Sequence, residues 1–344
     1  MKLPPRWLRR LLIDPAVVIG FVLAVVALPL WVLVAFVVSR LVPGNWRILR
    51  VAWFLFLYLA VEVAALITLF ALWLASGFGW KIRSAPFQRA HFVVFGAMLR
   101  QVVGSAKRAF KLDVELADPP PQTVGQPDRK PALILSRHAG PGDSMLLMDF
   151  LVNGYKRRPR IVLKDFLQWD PAVDVMLNRI PAAFVPVGSK GGESLIQSIR
   201  HLAGGMEKDD AFVIFPEGAN YTEGRHAHAI RKLREIGRPD LAERAEDLQI
   251  TLPPRTAGVQ AALDAAPEDG GIFFIGHAGL EAFLTPGDIW RAMPIDTTIA
   301  AKTWFVPAEE LPNPADLEQW LYDMWSQIDQ WITSTLAETA EPGA

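Results

Sequence analysis

A histidine and an aspartate five positions apart are the residues of this sequence best suited to chemistry. They lie in Ser136-Arg-His-Ala-Gly-Pro-Gly-Asp143, where a Gly/Pro turn can bring the two side chains together. Asp143 could then accept one imidazole N–H and fix the tautomer, which leaves the other nitrogen of His138 as a base near neutral pH. The pair corresponds to the base and orienting group of a Ser-His-Asp triad, so the nucleophile would come from elsewhere, for example from a substrate hydroxyl.

A second polar group follows another predicted strand, in Phe215-Pro-Glu-Gly218. Glu217 puts a carboxylate on a strand-to-loop turn, and Gly218 allows the backbone to approach a ligand closely. Each motif alone has a structural alternative. Asp143 could be only the N-cap of a helix, and Glu217 could bond the amides of its own turn.

The elements that carry these residues are short apolar runs alternating with helical stretches. This alternation predicts an α/β fold with a mostly parallel sheet flanked by helices, and ligands of such sheets bind beyond the carboxyl ends of the strands. The predicted strands cover 132–135, 161–163, 183–187, 211–215, 271–276 and 297–306, and the predicted helices cover 143–155, 192–206, 224–248 and 315–336.

The first 83 residues differ from the rest of the chain. Two apolar segments, 15–39 and 51–80, are joined by a connector with turn residues, and Glu62 is the one charge inside them. Each segment is long enough for a hydrocarbon core of about 30 Å, which predicts an N-terminal membrane helical hairpin. The sequence leaves open whether the hairpin spans the bilayer or enters one leaflet. It favours a structural role for Glu62 over a functional one: either a protonated carboxyl bonded to the neighbouring helix or one that snorkels where the helix begins late.

The distribution of charge also separates residues 1–83 from the rest of the chain. Residues 1–83 hold nine basic and two acidic residues, whereas the whole chain has a net charge of −1. A basic apolar head on an acidic body favours anionic lipid and disfavours nucleic acid as partner. Basic residues at both outer ends of the hairpin predict an integral membrane protein with its body on the cytoplasmic face. Residues 84–127 are predicted as an amphipathic surface segment and linker, 128–336 as the main domain and 337–344 as a tail.

Some chemistry is excluded or disfavoured by composition and spacing. The 344 residues include no cysteine, which excludes disulfides, thiolate metal sites and a cysteine nucleophile. His226 and His228 would point to different sides of a helix, and no third ligand is evident, so no metal site is predicted.

Taken together, the motifs resemble those of the glycerolipid acyltransferases. His138 and Asp143 match the family's H-x-x-x-x-D block, and residues 215–218 match its F-P-E-G block. Lys164 resembles a basic residue of the family, and residues 252–258, Leu-Pro-Pro-Arg-Thr-Ala-Gly, resemble its fourth block. The resemblance covers roughly residues 85–335. The fourth block and residues 296–331 look most like the lysophosphatidylinositol and lysocardiolipin acyltransferases.

The resemblance implies a membrane-bound catalytic acyltransferase domain over 128–336. Such an enzyme moves a fatty acyl group from acyl-CoA or acyl-ACP, a co-substrate rather than a bound cofactor, to the free hydroxyl of a lysophospholipid such as 1-acylglycerol-3-phosphate. His138 would deprotonate the hydroxyl, and Asp143 would stabilise the imidazolium. Amides at the start of the Asp143 helix would bind the oxyanion. Glu217 would hold acceptor hydroxyls or anchor the phosphate-binding cation, and Gly218 would contact the acceptor.

Two departures from the family pattern concern the acceptor's phosphate. The third block continues with Ala219-Asn220 instead of Thr-Arg, and the second block at 184–187 has no arginine. We therefore expect an anion site built from Lys164, Arg225 and Arg255, or from Arg179 and Lys190. Two alternatives to the lysophospholipid acyltransferase stay open: a CoA-independent transacylase or lipid hydrolase, and a non-catalytic lipid-binding scaffold.

Overall fold

The structure is a computed structural model that describes residues 3–117, 130–140, 142–186, 192–283 and 285–340. The described strands form one seven-stranded sheet. They are β1 (Leu112–Leu116), β2 (Ala132–Ser136), β3 (Arg158–Lys164), β4 (Ala182–Val185), β5 (Asp210–Ile214), β6 (Gly271–Ala278) and β7 (Thr297–Val306). Their order across the sheet is β1-β7-β6-β2-β5-β3-β4.

The helices surround this sheet and precede it. They are α1 (Arg6–Val26), α2 (Leu28–Leu41), α3 (Arg47–Ala75), α4 (Ala85–Phe110), α5 (Asp143–Asp149, continued by a π-helical turn over Phe150–Gly154), α6 (Pro171–Leu177), α7 (Gly192–Gly204), α8 (Glu223–Glu235), α9 (Pro239–Glu246), α10 (Thr256–Leu263), α11 (Pro286–Ala292) and α12 (Leu317–Ala340), with 3-10 turns at Asp165–Trp169 and Ala308–Glu310.

The predicted α/β fold with a mostly parallel sheet is confirmed. Strands β2 to β6 run parallel to one another, while β7 is antiparallel to β6 and carries β1 parallel to itself. All six predicted strands are present because each is a mainly apolar run. Strands β2, β5 and β6 are almost fully buried, whereas β4 and most of β7 are half-buried.

The edge strand β1 was not predicted. Its sequence alternates apolar Leu112 and Val114 with acidic Asp113 and Glu115, as suits a strand with one solvated face. It therefore belongs to the sheet rather than to the surface segment expected over 84–127. The proline-rich part of that segment, 118–127, lies outside the described residues, as do Lys190 and the tail from 341 onward.

Each face of the sheet is covered by helices. On one face, α7, α10 and α12 pack against Phe212 and Phe274, and Trp325 of α12 is fully buried there. On the other face, α4 and α5 pack against Ile134 and Val213. The predicted helix at 315–336 is thus a packing helix. The helical region 224–248 is two helices, because Gly237 adopts a φ of +77° after α8.

The first apolar segment differs from the expected single helix over 15–39. It forms α1 and α2, which meet at Ala27 with a bend of 71°. Pro29 causes the break, because proline has no N–H to donate and its ring crowds the preceding turn. The indole N–H of Trp31 donates to the carbonyl of Ala24 at 2.9 Å and so satisfies one carbonyl at the bend.

The second apolar segment forms α3 over Arg47–Ala75 instead of 51–80. Among the described helices, α3 alone is long and apolar enough to cross a membrane by itself, and α1 with α2 would do so only as one bent span. The Glu62 carboxylate is buried and accepts the amide N–H of Ala172 at 3.1 Å. This is the structural role that the sequence favoured, although the partner belongs to α6 and not to another apolar helix.

The apolar helices are fixed to the sheet domain by polar contacts. Arg9 and Arg10 of α1 both bind the carboxylate of Asp174 in α6, at 2.6 and 2.9 Å. Arg179 donates to the carbonyl of Leu69 in α3 at 2.7 Å. Helix α4, with buried His91, packs between α3 and the sheet. The N-terminal helices and the sheet domain therefore share a packed interface.

Candidate active site

His138 and Asp143 come together at the carboxyl end of β2. The Nδ1 atom of His138 lies 2.7 Å from Oδ2 of Asp143, and the His138 side chain is 28% exposed. Its ring packs on Phe215, which follows β5, with 5.0 Å between the ring centres. The hydrogen bond fixes Nδ1–H as the donor, so Nε2 is left as the basic nitrogen.

Asp143 is held by the backbone around it. Its Oδ2 also accepts the amides of Ala139 and Gly140 at 2.8 and 3.2 Å, and its Oδ1 accepts the amide of Ser144. Burial raises the pKa of the Asp143 carboxyl, but the hydrogen bond and charge of His138 outweigh this effect and leave the pKa below its ordinary value. Asp143 is therefore ionised at neutral pH.

This arrangement reduces the number of backbone amides that can bind an oxyanion. We predicted that amides at the start of the Asp143 helix would bind the oxyanion. The amides of Ala139, Gly140 and Ser144 already donate to the Asp143 carboxylate, so these three N–H groups are not available for that purpose.

Glu217 is a buried carboxylate rather than an exposed ligand. It is 1% exposed, and its two oxygens accept the amides of His138 and Leu252 at 3.2 and 3.0 Å. Direct contact with an acceptor hydroxyl, as predicted from the sequence, does not fit this geometry. The structural alternative, a carboxylate that bonds backbone amides, fits this geometry. The difference is that Glu217 accepts amides of two other loops and not those of its own turn. Burial raises the pKa of Glu217 to about 7, although the charge of Arg137 and both amides act in the opposite direction.

The predicted cations lie around the same end of the sheet, where the parallel strands have their carboxyl termini. Arg255 is exposed and its guanidinium lies over Gly218, where an added Cβ would come within 3.2 Å of it. Gly218 has a φ of +69°, which glycine adopts without strain. Glycine therefore suits this position both for its backbone conformation and for the space that Arg255 occupies. Lys164 is exposed at the end of β3, two strands and about 10 Å from β2. Arg225 is exposed at the start of α8 and donates to Asn220.

A comparison with protein families identifies the domain. The family model described as Acyltransferase matches residues 117–265, which contain β2 to β5 and their carboxyl-end turns. The chain carries an acyltransferase domain. The expected resemblance to the glycerolipid acyltransferases is confirmed, and the domain supports acyl transfer in general terms. Neither the comparison with curated proteins nor that with solved structures found a match.

Two buried residues that organise the acyltransferase domain were missed by the sequence analysis. Arg137 donates to the carbonyls of His277 and Ile250 at 2.7 and 3.0 Å and also binds Glu281. Asp329 of α12 accepts three consecutive amides, those of residues 249–251, at 2.8 to 2.9 Å. No local pattern could reveal Asp329, because about 80 residues separate it from its partners.

An apolar cavity of about 150 Å³ opens beside the His138–Asp143 turn of the acyltransferase domain. Its wall includes Phe54 of α3, Ala106 of α4, Gly142 at the turn, Met145 of α5 and Leu280 after β6. The cavity thus connects the apolar N-terminal helices with the start of α5. In the described ranges, no three His, Asp or Glu side chains come together as metal ligands would.

The raised pKa of Glu217 gives a stability prediction. Between its unfolded value near 4.5 and its folded value of about 7, the folded acyltransferase binds one proton more than the unfolded chain. The stability from this group is therefore full below pH 4.5 and decreases as pH rises toward 7. We expect the free energy of unfolding of the wild type, relative to Glu217→Gln, to fall by about 3 kcal/mol between pH 4.5 and 8. Denaturant unfolding in detergent measures this difference.

The exposed Glu235→Gln is the matched control, and its difference from the wild type should not depend on pH in this manner. Parallel pH curves for the wild type and Glu217→Gln would contradict the assignment.

Proposed function

We propose that this chain is a membrane-bound O-acyltransferase that moves a fatty acyl group from acyl-CoA or acyl-ACP to the free hydroxyl of a lysophospholipid. We favour 1-acylglycerol-3-phosphate or a related lysolipid as acceptor, in phospholipid synthesis or remodelling. The observation that carries the proposal is the hydrogen-bonded His138–Asp143 pair within an acyltransferase domain, on a turn whose Gly142 lines an apolar cavity.

The proposed reaction begins when Nε2 of His138 takes the proton of the acceptor hydroxyl. Asp143 stabilises the imidazolium through Nδ1–H, and the hydroxyl oxygen attacks the thioester carbonyl. The C–O bond forms, the tetrahedral oxyanion collapses and the C–S bond breaks. The leaving thiolate then takes the proton from His138. No acyl-enzyme is needed, in keeping with a chain that contains no cysteine.

We assign the anionic headgroup of the acceptor to the exposed cations at this end of the sheet. Arg255 has no hydrogen-bond partner for its guanidinium among the described residues, and Lys164 has no ion-pair partner there either. Arg225 supports the site from α8, although part of its guanidinium is used by Asn220. The fork geometry of arginine suits phosphate, so Arg255 is the strongest candidate.

We assign a fatty acyl chain to the apolar cavity. A chain placed there would have its carbonyl end near Gly142, on the turn that carries the catalytic pair. Phe54 of α3 contributes to the wall, so a lipid tail could enter from the apolar helices without crossing water. Each buried methylene would contribute about 0.8 kcal/mol to binding.

An acyl transfer assay tests the function. Labelled palmitoyl-CoA, or palmitoyl-ACP, is supplied with a panel of lysophospholipids to the wild type and to His138→Ala in detergent extract. We expect labelled diacyl product from the wild type alone, and the preferred acceptor identifies the headgroup. Product formed without any thioester would favour the transacylase or hydrolase. Absence of product from every donor and acceptor would favour the scaffold.

We further propose that the apolar helices enter one leaflet and do not span the bilayer, with the domain on the cytoplasmic side. Arg47, at the start of α3, donates to the carbonyls of Met293 and Arg291 beside α11, both at 3.2 Å. Leu69, about 33 Å further along α3, accepts from Arg179. A spanning helix has its ends on opposite sides of the membrane, whereas both ends of α3 contact one domain. Basic residues flanking the apolar helices support the cytoplasmic side.

The absence of native cysteine makes this topology directly testable. Pro43→Cys labels the exposed connector between α2 and α3, and Glu268→Cys labels the exposed surface of the domain. In sealed inverted vesicles, a membrane-impermeant maleimide should label both variants to a similar extent. In a spanning hairpin the connector would lie on the other side, so labelling of Glu268→Cys without Pro43→Cys would contradict the proposal.

A further inference from the structure

A second histidine lies beside the catalytic pair on the neighbouring strand. Strand β6 runs parallel to β2 with Ser136 opposite Ile275, and the same register continued by two residues brings His277 level with His138. The side chain of His277 is only 10% exposed. Its position at the carboxyl end of β6 is therefore close to the chemistry, although it is too buried to meet a substrate itself.

The ring of His277 faces the carboxylate of Asp143. Its Nε2 lies 4.0 Å from Oδ2 of Asp143, the same oxygen that binds Nδ1 of His138 at 2.7 Å. Within the part of the chain that the structure describes, neither ring nitrogen of His277 has a hydrogen-bond partner. A buried N–H without an acceptor costs free energy, and a movement of about 1 Å would give it one.

Three charged groups lie around His277. They are Arg137 from the end of β2, Asp143 from α5 and Glu281 from the loop after β6. Burial lowers the pKa of His277 to about 4, and the charge of Arg137 acts in the same direction. The two carboxylates and the nearby backbone of Arg137 oppose this effect only in part. At neutral pH His277 is therefore an uncharged imidazole with one N–H to donate, not a competing cation.

We propose that His277 is a positioning residue, whose Nε2–H donates to Oδ2 of Asp143 in the reacting complex and holds that carboxylate in line with His138. This inference rests on the proposed function, because it assigns a supporting role within the same site. The amides of Ala139 and Gly140 hold Asp143 from its own turn, whereas His277 holds it from the adjacent strand.

Two substitutions of His277 separate positioning from packing. His277→Leu replaces the imidazole with an apolar side chain of similar size and removes the N–H, whereas His277→Gln keeps a donor near the position of Nε2. We expect His277→Leu to lower kcat about tenfold with little change in KM, and His277→Gln to recover most of the rate. His91→Leu, at a buried histidine of α4, is the matched control and should leave kcat unchanged.

The pH profile gives a readout that a packing role would not change. With one donor fewer, the Asp143 carboxylate holds the His138 imidazolium more strongly, so the acid limb of kcat/KM moves to higher pH. An unshifted limb in His277→Leu, or equal losses in the Leu and Gln variants, would overturn the inference while an active wild type still supports the function. A wild type without acyl transfer overturns the proposed function and this inference with it.

Discussion

Asp143→Asn is expected to lower kcat for acyl transfer by about 10⁴-fold. An asparagine side chain has one acceptor oxygen and no charge. Its NH₂ group would face either the amide of Ser144, at the Oδ1 position, or His138 with the amides of Ala139 and Gly140, at the Oδ2 position. In the first orientation the imidazolium loses its stabilising charge, and in the second His138 is also held in the wrong tautomer. Initial rates with a labelled acyl thioester at saturating acceptor measure the loss.

Asp149→Asn provides the control on the same helix, because Asp149 bonds the side chain of Asn153 and not the catalytic pair. It should retain nearly the wild-type rate. Both variants should remain in the membrane fraction, since α1 to α3 are untouched. A loss of only a few fold in Asp143→Asn would show that another group fixes the base, and the proposed mechanism would then be wrong.

Ala106→Trp is expected to produce the second large effect, a change in acyl-chain preference. Ala106 lines the cavity of about 150 Å³, and an indole at this position would occupy most of it. A long chain would lose the burial of several methylenes, each equivalent to roughly a fourfold change in binding at about 0.8 kcal/mol. We expect the ratio of kcat/KM for palmitoyl to octanoyl donors to fall at least tenfold.

Ala97→Trp is the matched control, because Ala97 lies on the exposed side of the same helix α4. It should keep the wild-type chain preference. An unchanged preference in Ala106→Trp, in a protein that still transfers acyl groups, would mean that the acyl chain binds elsewhere.

The sequence predicted the sheet well because its strands are short apolar runs that the fold buries. It also placed His138 with Asp143, since five residues across a glycine turn leave few other arrangements. The strands and the His138–Asp143 turn both depend on patterns within short, continuous stretches of sequence. The alternating acidic residues of β1 and the short helices α6, α10 and α11 gave a weaker pattern, and they were missed for that reason.

The contacts that complete the site depend on distant parts of the chain. Glu217 joins the loops of His138 and Leu252, and no spacing rule distinguishes such a carboxylate from an exposed ligand. The bend at Ala27 was also missed, because a count of apolar residues over 15–39 gives no weight to Pro29. A closer consideration of that proline would have predicted the break.

The contact of Asp329 with residues 249–251 has a consequence for the order in which the protein is made. Asp329 belongs to the last described helix, so a ribosome synthesises it after all seven strands and after the loop that it holds. The apolar helices α1 to α3 leave the ribosome before the sheet does. A nascent chain can therefore reach a lipid surface while its loop at 249–251 still lacks its anchor, and the loop is fixed only after α12 has been made.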